Sequence, residues 1–148
     1  MRRFCIAAVL LALAGPGIAR GDSVWETLVN TSRELKERYS DKVYIWNETN
    51  RITRFKVRRG DGTLIGITGP VFPGQFSPRI TDLTLPNPKV YEIKAFVWND
   101  RNQTWVAKTG WVRFRNPDPG EPYPPENWGD NLYFVFYRTG DGFALDWL

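Results

Sequence analysis

Arg51-Ile52-Thr53-Arg54-Phe55-Lys56-Val57-Arg58-Arg59 alternates with a period of two. Thr53, Phe55 and Val57 fall on one face, and Arg54, Lys56 and Arg58 on the other. Successive side chains of a strand point to opposite sides, so this is a half-buried strand with a cationic outer face. Gly60-Asp61-Gly62 then supplies a turn, and Thr63–Ile67 returns as its partner.

The same period holds outward in both directions. Lys42–Asn47 is a strand upstream. Downstream, Pro70, Pro73-Gly74 and Pro78 mark a loop before Ile80–Leu85, which Pro86-Asn87-Pro88 closes. Val90–Trp98, Thr104–Lys108 and Trp111–Arg115 follow as a meander, and Leu132–Arg138 with Phe143–Leu148 makes a last hairpin around Gly140-Asp141-Gly142. Arg58–Gly62 and Arg138–Gly142 share the pattern Arg-x-Gly-Asp-Gly, which two similar hairpin turns explain.

Only the stretch before Asp41 has a helical period. Ser23-Val24-Trp25-Glu26 has the form of a capping box, and Trp25, Leu28, Ser32, Leu35 and Tyr39 make one stripe on a helix over about 23–39. The fold class is therefore all-β and mainly antiparallel. About eight to nine short strands at this spacing point to a β-sandwich, with one N-terminal amphipathic helix. The run Val43-x-Ile45-x-Asn47-x-Thr49, with the alternating strand and the Pro73-Gly74 turn behind it, resembles an exported immunoglobulin-like module. The cysteine pair of true immunoglobulin domains is missing, and the resemblance carries over no functional residues.

Residues 1–19 read as a cleavable export signal. Arg2 and Arg3 precede the eleven-residue apolar run Phe4–Ala14, and Gly17-Ile18-Ala19 offers small residues before the cut. The run is well short of the ~20 residues a membrane span needs. Residues 20–148 are then a single domain, and the only cysteine, Cys5, leaves with the signal. An exported domain that can form no disulfide points to a bacterial periplasmic or secreted protein.

The missing residue types also exclude chemistry. The chain has no histidine, so Ser-His-Asp and Cys-His nucleophiles are absent, and thiolate or imidazole metal sites with them. No cofactor is expected. Carboxylate chemistry survives: Glu121, Glu126, Asp130, Asp141 and Asp146 are the acids from which a glycan hydrolase would draw its pair. Asp118, Glu121, Glu126 and Asp130 lie on one proline-rich connection able to wrap a calcium ion, without the Asp-x-Asp-x-Asp-Gly pattern. Arg20-Gly21-Asp22-Ser23 spells an adhesion tetrapeptide by coincidence. Asn30-Thr31-Ser32, Asn47-Glu48-Thr49 and Asn102-Gln103-Thr104 match the glycosylation sequon and are idle in a bacterium.

Aromatic content is the strongest lead, with seven tryptophans in 148 residues. With a two-residue turn at Asp100-Arg101, Phe96 faces Trp105. With a second turn at Thr109-Gly110, Trp105 faces Phe114. One face then carries Phe96, Trp98, Trp105, Ala107, Val112 and Phe114, and either the helix covers it or it stands open as a platform. Trp98, Trp105 and Trp111, flanked by Arg54, Lys56 and Arg58, are the candidate ligand-binding residues. Sugar rings stack on indoles and acidic sugars pair with arginine, so the expected partner is a glycan or another cell-envelope component. Without the signal the chain holds 18 basic and 16 acidic residues, and no nucleic-acid module is spelled. Nucleic acid is not an expected partner. The expected function is a non-enzymatic binding or envelope-interaction domain. The alternatives are a membrane-surface protein using the basic strand and a carboxylate-dependent glycan hydrolase.

Overall fold

The computed structural model describes residues 21–83, 90–115 and 131–148. Helix α1 spans Gly21–Tyr39, and among the described residues nine strands follow. These are β1 (Lys42–Asn47), β2 (Thr53–Arg59), β3 (Leu64–Ile67), β4 (Ile80–Thr81), β5 (Val90–Asn99), β6 (Thr104–Ala107), β7 (Val112–Arg115), β8 (Asn131–Arg138) and β9 (Phe143–Trp147). The chain divides into two compact units, Met1–Arg38 and Tyr39–Leu148, and the second contains every strand. No described helix is long and apolar enough to cross a membrane. The expected signal segment lies outside the described residues. The capping box is not where the sequence places it: α1 starts at Gly21, so Ser23 is already helical, and its carbonyl accepts a bond from Thr27 Oγ1 at 2.7 Å.

The strands form two sheets, ordered β4-β1-β8-β9 and β3-β2-β5-β6, with β7 also on β5. Neighbours pair antiparallel except β1 and β8, which run parallel from Lys42↔Asn131 to Asn47↔Phe136. The sheets pack as a sandwich, because both contribute their alternate residues to one core. Val43, Ile45, Phe134 and Phe136 come from the four-stranded sheet, and Phe55, Val57, Tyr91, Ile93, Ala95 and Phe114 from the other. Phe55 meets Phe136 edge-on at 5.7 Å, and Phe114 meets Phe134 at 4.5 Å. At one edge the sheets approach so closely that a Cβ on Gly66 of β3 would lie 2.6 Å from the Ile80 side chain of β4.

Two expected turns are different. Asp100–Gln103 forms a four-residue loop in place of a two-residue turn. Asn99 Oδ1 accepts the Arg101 amide at 3.0 Å, and Gln103 takes a positive φ of 51°. The register therefore moves by two, so that Trp98 faces Trp105 and Phe96 faces Ala107. Nor does the chain reverse at Thr109-Gly110. β6 and β7 both pair with β5 as one interrupted edge: Thr109 Oγ1 accepts the Ala95 amide at 2.9 Å, and the Lys108 amide donates to the Ala95 carbonyl. Since the strand continues instead of folding back, Phe114 pairs with Tyr91 and enters the core.

Two buried polar knots hold the strand ends. Tyr91 hydroxyl donates to Asp41 Oδ2 at 2.9 Å and lies 3.4 Å from Asp82 Oδ2, while Arg59 grips Asp82 through two bonds of 2.8 and 2.7 Å. These four residues stand at ends of β1, β2 and β5 and just beyond β4, so the knot ties both sheets together at one end. At the other end Asn47, fully buried, donates to the carbonyls of Arg51 and Val71 and accepts from the Thr49 amide and hydroxyl. The Asn47-Glu48-Thr49 sequon is thus a structural turn, with its amide fully used and out of reach of modification.

Burial pushes the Tyr91 hydroxyl well above its ordinary value of 10.0, and the charges of Asp41 and Asp82 push it further. The folded state therefore holds this proton more tightly than the unfolded chain. The stabilisation is complete below about pH 10 and is lost as pH rises above it. Urea denaturation at pH 8, 10 and 11 should show stability falling across the last interval. Tyr91→Phe should cost about 1–3 kcal/mol at pH 8, by taking one donor from a buried carboxylate, and should flatten the alkaline fall.

Candidate functional site

The alternation of β2 and β5 sends one residue in two outward. Against β2, the outer pairs are Arg54↔Phe96, Lys56↔Lys94 and Arg58↔Glu92. Trp98 and Trp105 pair on the same face one strand over, and Arg113 of β7 stands opposite Glu92. All six candidates from the sequence reach this face. Trp98, Trp105 and Trp111 are half-buried, as are Arg54, Lys56 and Arg58.

The cations lie against the rings. The Arg54 guanidinium carbon is 4.9 Å from the Trp105 ring centroid and 5.7 Å from that of Phe96. Lys56 Nζ and Lys94 Nζ are 5.3 and 5.8 Å from Phe96, and the Arg58 guanidinium carbon sits 4.0 Å from Trp111. Trp98 packs edge-on against Trp105 at 5.2 Å. This interleaving explains how a strand surface can carry so much charge. Each cation rests on the negative face of a ring, an attraction worth about 0.5–2 kcal/mol depending on desolvation. Arg58 also binds Glu92 at 2.6 Å, and Arg113 lies 3.8 Å from the same carboxylate. Arg54 Nε is buried and makes no hydrogen bond. The face thus holds Arg54, Lys56, Arg58, Lys94 and Arg113 against the one carboxylate of Glu92, among the described residues.

The acidic candidates are not brought together by anything described. Asp141 is exposed in the β8–β9 turn, and Asp146 is exposed on β9, where its Oδ1 accepts the Trp147 amide. Asp118, Glu121, Glu126 and Asp130 lie outside the described residues, so the calcium loop does too.

Two features escape the sequence reading. The outer face of the four-stranded sheet carries Tyr44 stacked on Tyr133 at 5.2 Å, with Phe76 against Trp46 and Tyr133. The aromatic alternation within Lys42–Asn47 and Asn131–Arg138 is the signal for it, but only the parallel pairing of these distant strands makes it one surface. The second is a cleft of about 470 Å³ beside Trp98, whose lining includes Arg51, Lys108 and Arg138. No local pattern links these three residues.

No family model matches the chain, and no curated protein matches it.

The ring contacts have a measurable energy. In a double-mutant cycle between Arg54→Gln and Trp105→Leu, read by urea denaturation, the coupling should be about 1 kcal/mol. Asp146→Asn, on the other sheet, combined with Trp105→Leu should be additive.

Proposed function

We propose that the chain is an exported, non-enzymatic binding domain that takes an acidic polysaccharide of the cell envelope on the outer face of the five-stranded sheet. The observation that carries this reading is the excess of cations on that face, with Arg54, Lys56, Arg58 and Lys94 each seated against an aromatic ring. A seated cation is oriented before a ligand arrives, so less side-chain entropy is lost on binding. The guanidiniums on Trp105 and Trp111 occupy ring faces that a neutral sugar would otherwise use. That moves the preferred ligand from neutral glycan to polyanion, with carboxylates meeting guanidinium and Trp98 supplying the stacking surface.

The immunoglobulin-like class is part of the same proposal. It is supported by the order β3-β2-β5-β6 opposite the neighbours β4-β1, and by a tyrosine at the start of β5 whose hydroxyl bonds across the strand ends. The parallel strand β8 beside β1 departs from the simplest form of that fold.

One observation favours the membrane-surface alternative. Leu64 and Ile67 of β3 are about half exposed and pair with Arg58 and Lys56, which places apolar side chains beside the cations. An anionic lipid surface would engage both.

Binding is tested with polygalacturonate, a neutral glucan and vesicles containing phosphatidylglycerol. Polygalacturonate should bind, and affinity should fall steeply between 50 and 500 mM salt, as expected where exposed charges drive association. The triple variant Arg54→Gln, Lys56→Gln, Arg58→Gln should weaken it ~1,000-fold, counting roughly one order for each lost charge-assisted contact. Salt-insensitive binding of the glucan, or binding to vesicles alone, overturns the polysaccharide reading. Release of new reducing ends would make the protein a hydrolase.

A further inference from the structure

At the end of the sandwich opposite the Tyr91 knot, β5 and β6 open onto the β8–β9 turn around the cleft beside Trp98. Its apolar lining is Val97 and Val106 from the two strands and Phe143 at the start of β9. Arg51, Lys108 and Arg138 bring three positive charges to it, and Asp141 a single negative one. Among the described residues no ion pair joins these cations to any carboxylate. Like charges gathered round one hollow repel each other, and the fold holds them there by separate means. Arg51 Nη2 donates to the Trp98 carbonyl at 3.2 Å, and Lys108 is fixed through its amide to Ala95 while Nζ lies 5.8 Å from the Phe143 ring. Arg138 ends β8 and pairs with Phe143.

We propose that this cleft is a second binding site, one that takes the carboxylate of a single sugar acid at the end of an acidic glycan chain. The ligand class rests on the polysaccharide reading of the neighbouring face; the site itself rests on the cleft. The volume falls within the roughly 300–1,000 Å³ usual for small-molecule sites. Three cations suit a carboxylate. Asn50, Asn99 and Asp141 around the same hollow offer amide and carboxylate partners to ring hydroxyls, and Phe143 offers apolar surface to the carbon face of a pyranose. Trp98 borders both surfaces, with its ring on the sheet face against Trp105 and its carbonyl bonded to Arg51 in the cleft lining.

The probe is digalacturonate, too short to cover the sheet face, with digalactose as its uncharged counterpart. Binding is followed by backbone amide NMR shifts and by calorimetry. Digalacturonate should shift the amides of Asn99, Lys108 and Gly140–Gly142, and digalactose should shift them little. Arg138→Gln and Lys108→Gln lie at exposed positions and should each weaken digalacturonate about tenfold, as for one charge-assisted hydrogen bond. The triple variant at Arg54, Lys56 and Arg58 should leave it nearly unchanged. The proposal is overturned if digalacturonate does not bind, if digalactose binds as well, or if the shifts lie on the sheet face and Arg138→Gln has no effect. Failure of the sheet-face reading looks different: polygalacturonate ignores the triple variant while digalacturonate still depends on Arg138.

Discussion

The register of β2 on β5 governs both faces of the five-stranded sheet. Thr53↔Val97, Phe55↔Ala95 and Val57↔Ile93 look inward, while Arg54↔Phe96, Lys56↔Lys94 and Arg58↔Glu92 look outward. A slip of one residue would drive three cations into the core and expose Phe55 and Val57. The desolvation of even one unpaired cation costs several kcal/mol, so this register has no near competitor. Hydrogen bonds to β2 reinforce it from the side: Thr68 Oγ1 accepts the Phe55 amide, and Val71 exchanges backbone bonds with Thr53.

Charge on the outer face is a consequence of that register and also a problem that the fold must manage. Lys56 opposite Lys94 is a like-charged pair, which on bare strands would be destabilising. Phe96 lies within reach of both ammonium groups and of the Arg54 guanidinium, so one ring moderates three charges. Farther along, Glu92 answers Arg58 and Arg113, and Trp111 receives the Arg58 guanidinium. The aromatic residues on this face therefore do structural duty for the cations before any ligand is considered.

The two ends of the sandwich are built on opposite plans. At one end Arg59, Asp82, Tyr91 and Asp41 are tied together by hydrogen bonds among largely buried groups, closing the sheets together. At the other, Asn47 organises the chain between β1 and β2 through saturated hydrogen bonds, and cations beyond it stand around a hollow without carboxylate partners among the described residues. A closed, hydrogen-bonded end and an open, cationic end give the domain a direction.

Period alone determined a great deal. The helix before Asp41, the strands after it, the turns at Gly60–Gly62 and Gly140–Gly142, and the placing of Arg54, Lys56 and Arg58 away from Phe55 and Val57 all follow from local alternation and turn chemistry. So does the sharing of one face by Trp98 and Trp105, because strand parity survives a register shift of two; Trp111 meets Arg58 only because the chain runs on past Thr109-Gly110. Tertiary structure decided whatever depends on residues far apart. The chain runs on past Thr109-Gly110 because β5 is long enough to pair β6 and β7 in line, and that continuation sends Phe114 inward. β8 returns to lie parallel to β1, which makes one surface of Tyr44 and Tyr133. Arg51, Lys108 and Arg138 meet because three loops end at the same place, and no periodicity records where separate strands end in space.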